Sequence, residues 1–208
     1  MQGKLTYFPI HARVEPLRML LTHAKVKFED HHVQMAEWGS VKMSYPQGQI
    51  PCWTQDGVQY GESKAILRFL GAQHGYYPKD LKAAAKADAI IDYLCDQYPK
   101  LCKPQVMGQL DQAALDLYVQ TWTEIIALTS SHLAKDRKYL VSDDLSTADC
   151  QLGGLLFATV YNDDLRGGAE YSDKIKALIK ANPAYHAYCE RLLVDFAEYR
   201  ANRIHAPA

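Results

Sequence analysis

Cysteine and histidine most readily bind metals or attack electrophiles, and in this chain neither is spaced for it. The five cysteines, Cys52, Cys95, Cys102, Cys150 and Cys189, include no CxxC pair. An odd, scattered set is neither a disulfide framework nor a zinc site, and it fits a reducing, cytoplasmic location. His31-His32, with His11 and His23, lack ligand spacing, and adjacent strand histidines face opposite ways. No metal is expected. Cys52 reads as a small core residue rather than a nucleophile. The stretch Gly48–Ser63, GQIPCWTQDGVQYGES, has more design in it. Ile50–Thr54 and Val58–Tyr60 have strand composition, and Asp56-Gly57 between them signals a tight hairpin. Pro51, lacking an N–H, marks a shaped loop at the strand entrance. Glu62-Ser63 is a polar opening to the apolar-periodic run Ala65, Ile66, Phe69, Leu70.

The elements around that stretch follow from periodicity. Residues 2–8 read as a strand, broken by Pro9 to Ala12. Val14, Leu17, Leu20, Leu21 and Ala24 are helically spaced. Pro16 is tolerated only near a helix start, which places that start around Ala12 to Val14. Residues 26–33 alternate as a second strand, and Glu37 to Ser44 form an irregular or weakly helical link. Two strands joined by a helix are parallel, whereas the hairpin pair is antiparallel. The result is a four-stranded mixed sheet in a thioredoxin-like arrangement, with a ligand edge where strands end and helices begin. From Leu81 onward strand signals nearly vanish and long helical periodicity takes over. One expected face runs Leu81, Ala84, Asp88, Ile91, Cys95, Tyr98, and another runs from Leu110 through Leu117 and Ile125 to His132. Ser146-Thr-Ala-Asp149 reads as a capping box, and Asn182-Pro183 separates two further helices. The expected organisation is therefore an α/β domain over 1–76, a linker over 77–81 and an all-α helical bundle over 82–208.

The 208 residues carry a net charge of −1, with 23% charged and 48% hydrophobic side chains. No basic surplus points to nucleic acid or an anionic membrane. No signal core is present, and no apolar run approaches the roughly 20 residues that span a bilayer.

Tyr7-Phe-Pro-Ile10, Arg13, Leu17-Arg-Met-Leu-Leu21, Trp38, Lys42, Gly48-Gln-Ile-Pro51, Glu62-Ser63 and Leu70-Gly71 stand in an order that resembles the cytosolic glutathione S-transferase family, from about residue 4 to about residue 200. The segments YFPIHARVEPLRMLL, SVKMSYPQGQIP and ILRFLGAQHGYY look most like the pi class, with sigma and mu as near relatives. The resemblance implies an enzyme that conjugates the glutathione thiolate to electrophilic small molecules in detoxification. Glutathione is then a co-substrate, and no separate cofactor is implied. Tyr7 matches the tyrosine that donates its hydroxyl to the glutathione sulfur, and Arg13 lies near the same end. Pro51 matches the family's cis-proline, which presents the Ile50 backbone to the cysteinyl part of the tripeptide. Ser63 matches the residue taking the γ-glutamyl carboxylate at a helix N-terminus. Trp38 and Lys42 match positions that bind the glycine carboxylate, and Gln49 matches a backbone-contacting glutamine. Asp96 matches an acid lent by a neighbouring subunit, which implies a homodimer. Phe8, Ile10, Met35 and Met107 are the candidate walls of the electrophile pocket.

Two positions depart from the pi pattern. Glu62 replaces glutamine as a variant of the same contact. Gln47 stands where an aromatic key is expected; either Tyr45 replaces it or the dimer locks differently. The same half-site also serves prostaglandin-type isomerases and non-catalytic glutathione-binding modules. A disulfide reductase is excluded, because the end of the first strand offers Tyr7-Phe-Pro-Ile10 instead of a cysteine pair.

Overall fold

The computed structural model describes residues 3–133 and 137–206; residue 2 of the expected first strand lies outside them. Strand β1 (Gly3–Tyr7) leads through a 3-10 turn at Ala12–Val14 into α1 (Glu15–His23), with Pro16 in its first turn. Strand β2 (Phe28–His32) pairs parallel with β1, in register from Gly3 opposite Phe28 to Tyr7 opposite His32. Strand β3 (Cys52–Gln55) runs antiparallel to β1, and β4 (Val58–Tyr60) antiparallel to β3 across the Asp56-Gly57 turn. The four-stranded sheet has the order β2-β1-β3-β4. This is the expected mixed, thioredoxin-like sheet. The second strand starts later than the alternation suggests, because the Val26 N–H bonds the Leu21 carbonyl at 2.9 Å and closes the end of α1.

Residues 37–44 form a short helix α2 (Trp38–Val41) and a 3-10 turn at Lys42–Ser44. Helix α3 (Ser63–His74) follows the hairpin and stops at Gly75 in the left-handed region, φ 86°. From there the chain is helical: α4 (Leu81–Met107), α5 (Gln112–His132), α6 (Thr147–Thr159), α7 (Gly168–Lys180), α8 (Pro183–Asp195) and α9 (Ala197–Asn202). None of the described helices is long and apolar enough to cross a membrane. On α4 the expected face is partly rotated. Ala84, Ile91 and Cys95 are buried with Ala87, Ile90 and Leu94, whereas Leu81 in the first turn is exposed. Leu117 on α5 is likewise exposed.

Every residue of α6 is buried, and this helix packs on both α1 and α4, joining sheet to bundle. The approach to α1 requires glycine: a Cβ at Gly154 would lie 2.7 Å from the Pro16 side chain. The capping box forms at the start of α6. Asp149 accepts the Ser146 N–H at 2.9 Å and, at its other oxygen, the Leu140 N–H at 3.0 Å and the Tyr188 hydroxyl at 2.9 Å. Burial pushes the Asp149 carboxyl up even though these donors oppose the shift. Asp149→Asn turns one acceptor into a donor facing donors. It should cost about 2 kcal/mol, seen as a lower urea midpoint at unchanged slope.

Candidate active site

The end of β1 turns without regular structure through Phe8, Pro9, Ile10 and His11 before α1 begins. Ala12 sits in the left-handed region at φ 41°. For a residue with a Cβ this costs about 1–2 kcal/mol, so the neighbourhood must hold it. Two sets of contacts, centred on Glu15 and on Arg18, do so. The His11 Nδ1 and Glu15 Oε2 are 2.9 Å apart, both side chains fully buried, and Arg203 Nη1 donates to Glu15 Oε1 at 3.2 Å. Arg18 donates to the Ile10 carbonyl at 2.7 Å and from Nε to Asp30 at 2.9 Å. Burial alone would raise the Glu15 pKa, but the hydrogen bond and charge of His11, then Arg203, hold it below the usual carboxylate value. Glu15 is therefore ionised at neutral pH.

Tyr7, on the last residue of β1, is buried. Burial raises its pKa, and the Arg13 backbone N–H and guanidinium pull only part of the way back. The phenol accordingly keeps its proton at neutral pH. Arg13 itself is exposed, its guanidinium 5.3 Å from the centre of the Tyr98 ring. Beside it opens a cleft of about 310 Å³ lined by Arg13, Gln49, Ile50, Pro51, Glu62 and Ser63. The Ile50–Pro51 peptide is cis, and Glu62 adopts φ 65°. Among the described residues no side chain caps α3, so its N-terminal N–H groups are available to an anion in this cleft. A cation and a helix N-terminus thus line one cleft, and Tyr7, which is not among its lining residues, meets it through the Arg13 backbone N–H. A hollow of about 520 Å³ between α5 and α7 is larger, but it lacks such a convergence of donors.

No family model matches the chain. It is 30% identical over 197 residues to Probable glutathione S-transferase 7 of Caenorhabditis elegans, covering 91% of this chain and 89% of the relative. The chain belongs to the glutathione S-transferase family. It is also 32% identical over 149 residues to the hematopoietic prostaglandin D synthase of Gallus gallus, covering 70% of this chain and 73% of that one. The crystal structure of the glutathione S-transferase from Ascaris lumbricoides superposes over the full length of both chains, with a TM-score of 0.83 at 26% identity.

The remaining expected positions of this transferase fall into two groups. Lys42, exposed on its 3-10 turn, lies against Gly48, where an added Cβ would be 3.5 Å from its Cε. Trp38 is half-buried, edge-on to Phe8 at 5.4 Å and stacked on Tyr45 at 6.0 Å. This ladder ties the loop after β1 to the link before the hairpin, and it occupies the Tyr45 ring within its own chain. Ile10 is half-buried beside Phe8. Met35 and Met107 are both exposed, and neither lines the cleft. Asp96 is exposed on α4 and does not line its own chain's cleft. Cys52 is fully buried. Of the adjacent histidines, His32 meets Asp30 at 3.2 Å, and among the described residues no group of His, Cys, Asp or Glu is arranged to hold a metal.

Two features escape a reading of the sequence. Tyr98 lies against Arg13, and one turn further along α4 stands Cys102, a thiol that burial pushes up to about 12 although Tyr98 and Arg13 oppose it. At that value it does not compete with a bound thiol as nucleophile. The second is the His11–Glu15–Arg203 chain. Its only sequence signal is Glu15 and Arg18 interrupting an apolar helical face.

Proposed function

We propose that the cleft holds glutathione as a co-substrate and that Tyr7 and Arg13 stabilise its thiolate for attack on electrophilic small molecules. The convergence of Arg13, Gln49, Ile50, Pro51, Glu62 and Ser63 beside a protonated, buried Tyr7 carries this reading. The Ile50 backbone pairs with the cysteinyl unit as an added strand. Ser63 and the α3 N-terminus take the γ-glutamyl carboxylate, and Glu62 faces the glutamyl ammonium. Lys42 supplies a cation and Trp38 a ring edge for the glycine carboxylate, with Gln49 on the backbone. Asp96 of the partner subunit completes the ammonium site in a homodimer, which works in the cytoplasm without a further cofactor. Phe8 and Ile10 form the inner wall of the electrophile site, and Met35 and Met107 are assigned to its rim. Within the family, the segments around Tyr7, Lys42 and Leu70 support a pi-like placement, with sigma and mu as near relatives.

The relation to a prostaglandin D synthase supports a second reading, isomerisation of an endoperoxide by the same thiolate. Turnover of aryl halides, isothiocyanates and an endoperoxide separates the two. Conjugation is expected with the first two substrates. A protein that retains on immobilised glutathione yet turns over none of the three is a binding module instead.

A further inference from the structure

Apart from the cleft, buried charge concentrates behind the loop that joins Tyr7, at the end of β1, to Arg13. Glu15 and His11 expose no side-chain surface, Arg18 exposes 3% and Arg203 11%. Arg203 follows α9 in the C-terminal tail, and it does more than neutralise Glu15. It also donates to the Phe157 and Tyr161 carbonyls, both at 2.8 Å, at the end of α6. The tail is held beyond this point by Asn162, which donates to the Ala206 carbonyl at 3.1 Å. Glu15 passes the constraint to the His11 ring. Among the described residues the His11 Nε2 has no hydrogen-bond partner, and the ring's hydrogen bond there is the one to Glu15. Arg18, itself fixed by Asp30 and beside His32, holds the preceding Ile10 carbonyl. The two residues before Ala12 are therefore gripped from behind, and the φ of 41° at Ala12 then turns Arg13 outward to the cleft.

A buried ionic chain of this kind is seldom more stabilising than apolar side chains of equal volume. What it supplies is a fixed geometry, and the loop it fixes has no strand or helix of its own. We propose that the C-terminal tail, acting from Arg203 through Glu15 and His11, positions Arg13 and the Tyr7 hydroxyl relative to the bound thiol. The inference rests on the assignment of Tyr7 and Arg13 to the glutathione sulfur. Gln49, Ile50 and Ser63 belong to a different segment, so loosening the relay impairs thiol ionisation and leaves the grip on the rest of the tripeptide intact.

The test compares Arg203→Met, Arg203→Lys, Tyr7→Phe and wild type in the full-length protein, at a temperature where all are folded by circular dichroism. Glutathione is the probe. Thiolate absorbance near 240 nm is titrated against pH, and kcat and KM are measured with an aryl halide. For Arg203→Met the pH of half-ionisation should rise by about half a unit, roughly a threefold loss of thiolate. Its kcat should fall by a similar factor, while the KM for glutathione stays within about twofold of wild type. Arg203→Lys, which keeps the charge but not the fork, should fall between the two. A purely structural role would lower the melting temperature and leave the titration unmoved. If both Arg203 variants titrate like wild type while Tyr7→Phe shifts, the relay is wrong and the Tyr7 assignment stands. If Tyr7→Phe titrates like wild type as well, that assignment fails and the relay fails with it.

Discussion

Tyr7→Phe should slow conjugation by about 10- to 100-fold while leaving glutathione affinity and folding nearly unchanged. A free thiol ionises near pH 8.5, so making it mostly thiolate at neutral pH requires a drop of about two units, roughly 2.7 kcal/mol. One hydrogen bond to a charged group is worth about 1.5–3 kcal/mol, so a single well-aimed phenol supplies most of it. Such a phenol must remain protonated, and here burial ensures that, outweighing the Arg13 N–H and guanidinium. Phenylalanine keeps the buried ring and removes only the donor. The expected result is an upward shift of about one to two units in the thiolate titration, with a KM for glutathione close to wild type. Equal thiolate fractions in variant and wild type would remove Tyr7 from the mechanism. Loss of binding would show instead that the hydroxyl holds the tripeptide.

The parts of the site that could be read from the sequence share a property: their chemistry is local. Asp56-Gly57 fixes the hairpin, Pro51 announces a shaped loop, and Glu62-Ser63 opens a helix, all within 16 contiguous residues. Their meeting in one cleft with Arg13 needs only the pairing of β1 with β3. The capping box of α6 was legible for the same reason, since Ser146 and Asp149 are three residues apart. What was not legible depends on distance along the chain. Arg203 and Glu15 are 188 residues apart. The placement of Tyr98 against Arg13 depends on how α4 packs against α6, which no periodicity reports. Periodicity also misassigns positions at helix ends. Leu81, in the first turn of α4, is exposed, and Val26 closes α1 instead of beginning β2.

Glu15→Gln should cost about 3 kcal/mol at neutral pH, because removing one member of a buried ionic group leaves the others uncompensated. For a chain of this length that corresponds to a melting temperature lower by about 6–12 °C. The effect should depend on pH in a direction set by the carboxylate. The folded-state pKa of Glu15 is held below its ordinary value of 4.5, with His11 and Arg203 outweighing burial. Such a group stabilises the fold above the unfolded pKa and loses that contribution as pH falls through the folded value. Asp149 works with the opposite sign. Its pKa is raised from 3.8 by burial, so its contribution is present at acid pH and declines as pH rises. Asp92 is also lowered, after burial, by Arg68 and Lys64, but it is half exposed and solvent screening leaves it little weight. The gap in melting temperature between wild type and Glu15→Gln should therefore be widest near pH 7 and narrow steadily below about pH 4.5. A gap that stayed constant down to pH 3 would mean that Glu15 is not the acid-sensitive member of the group behind the loop.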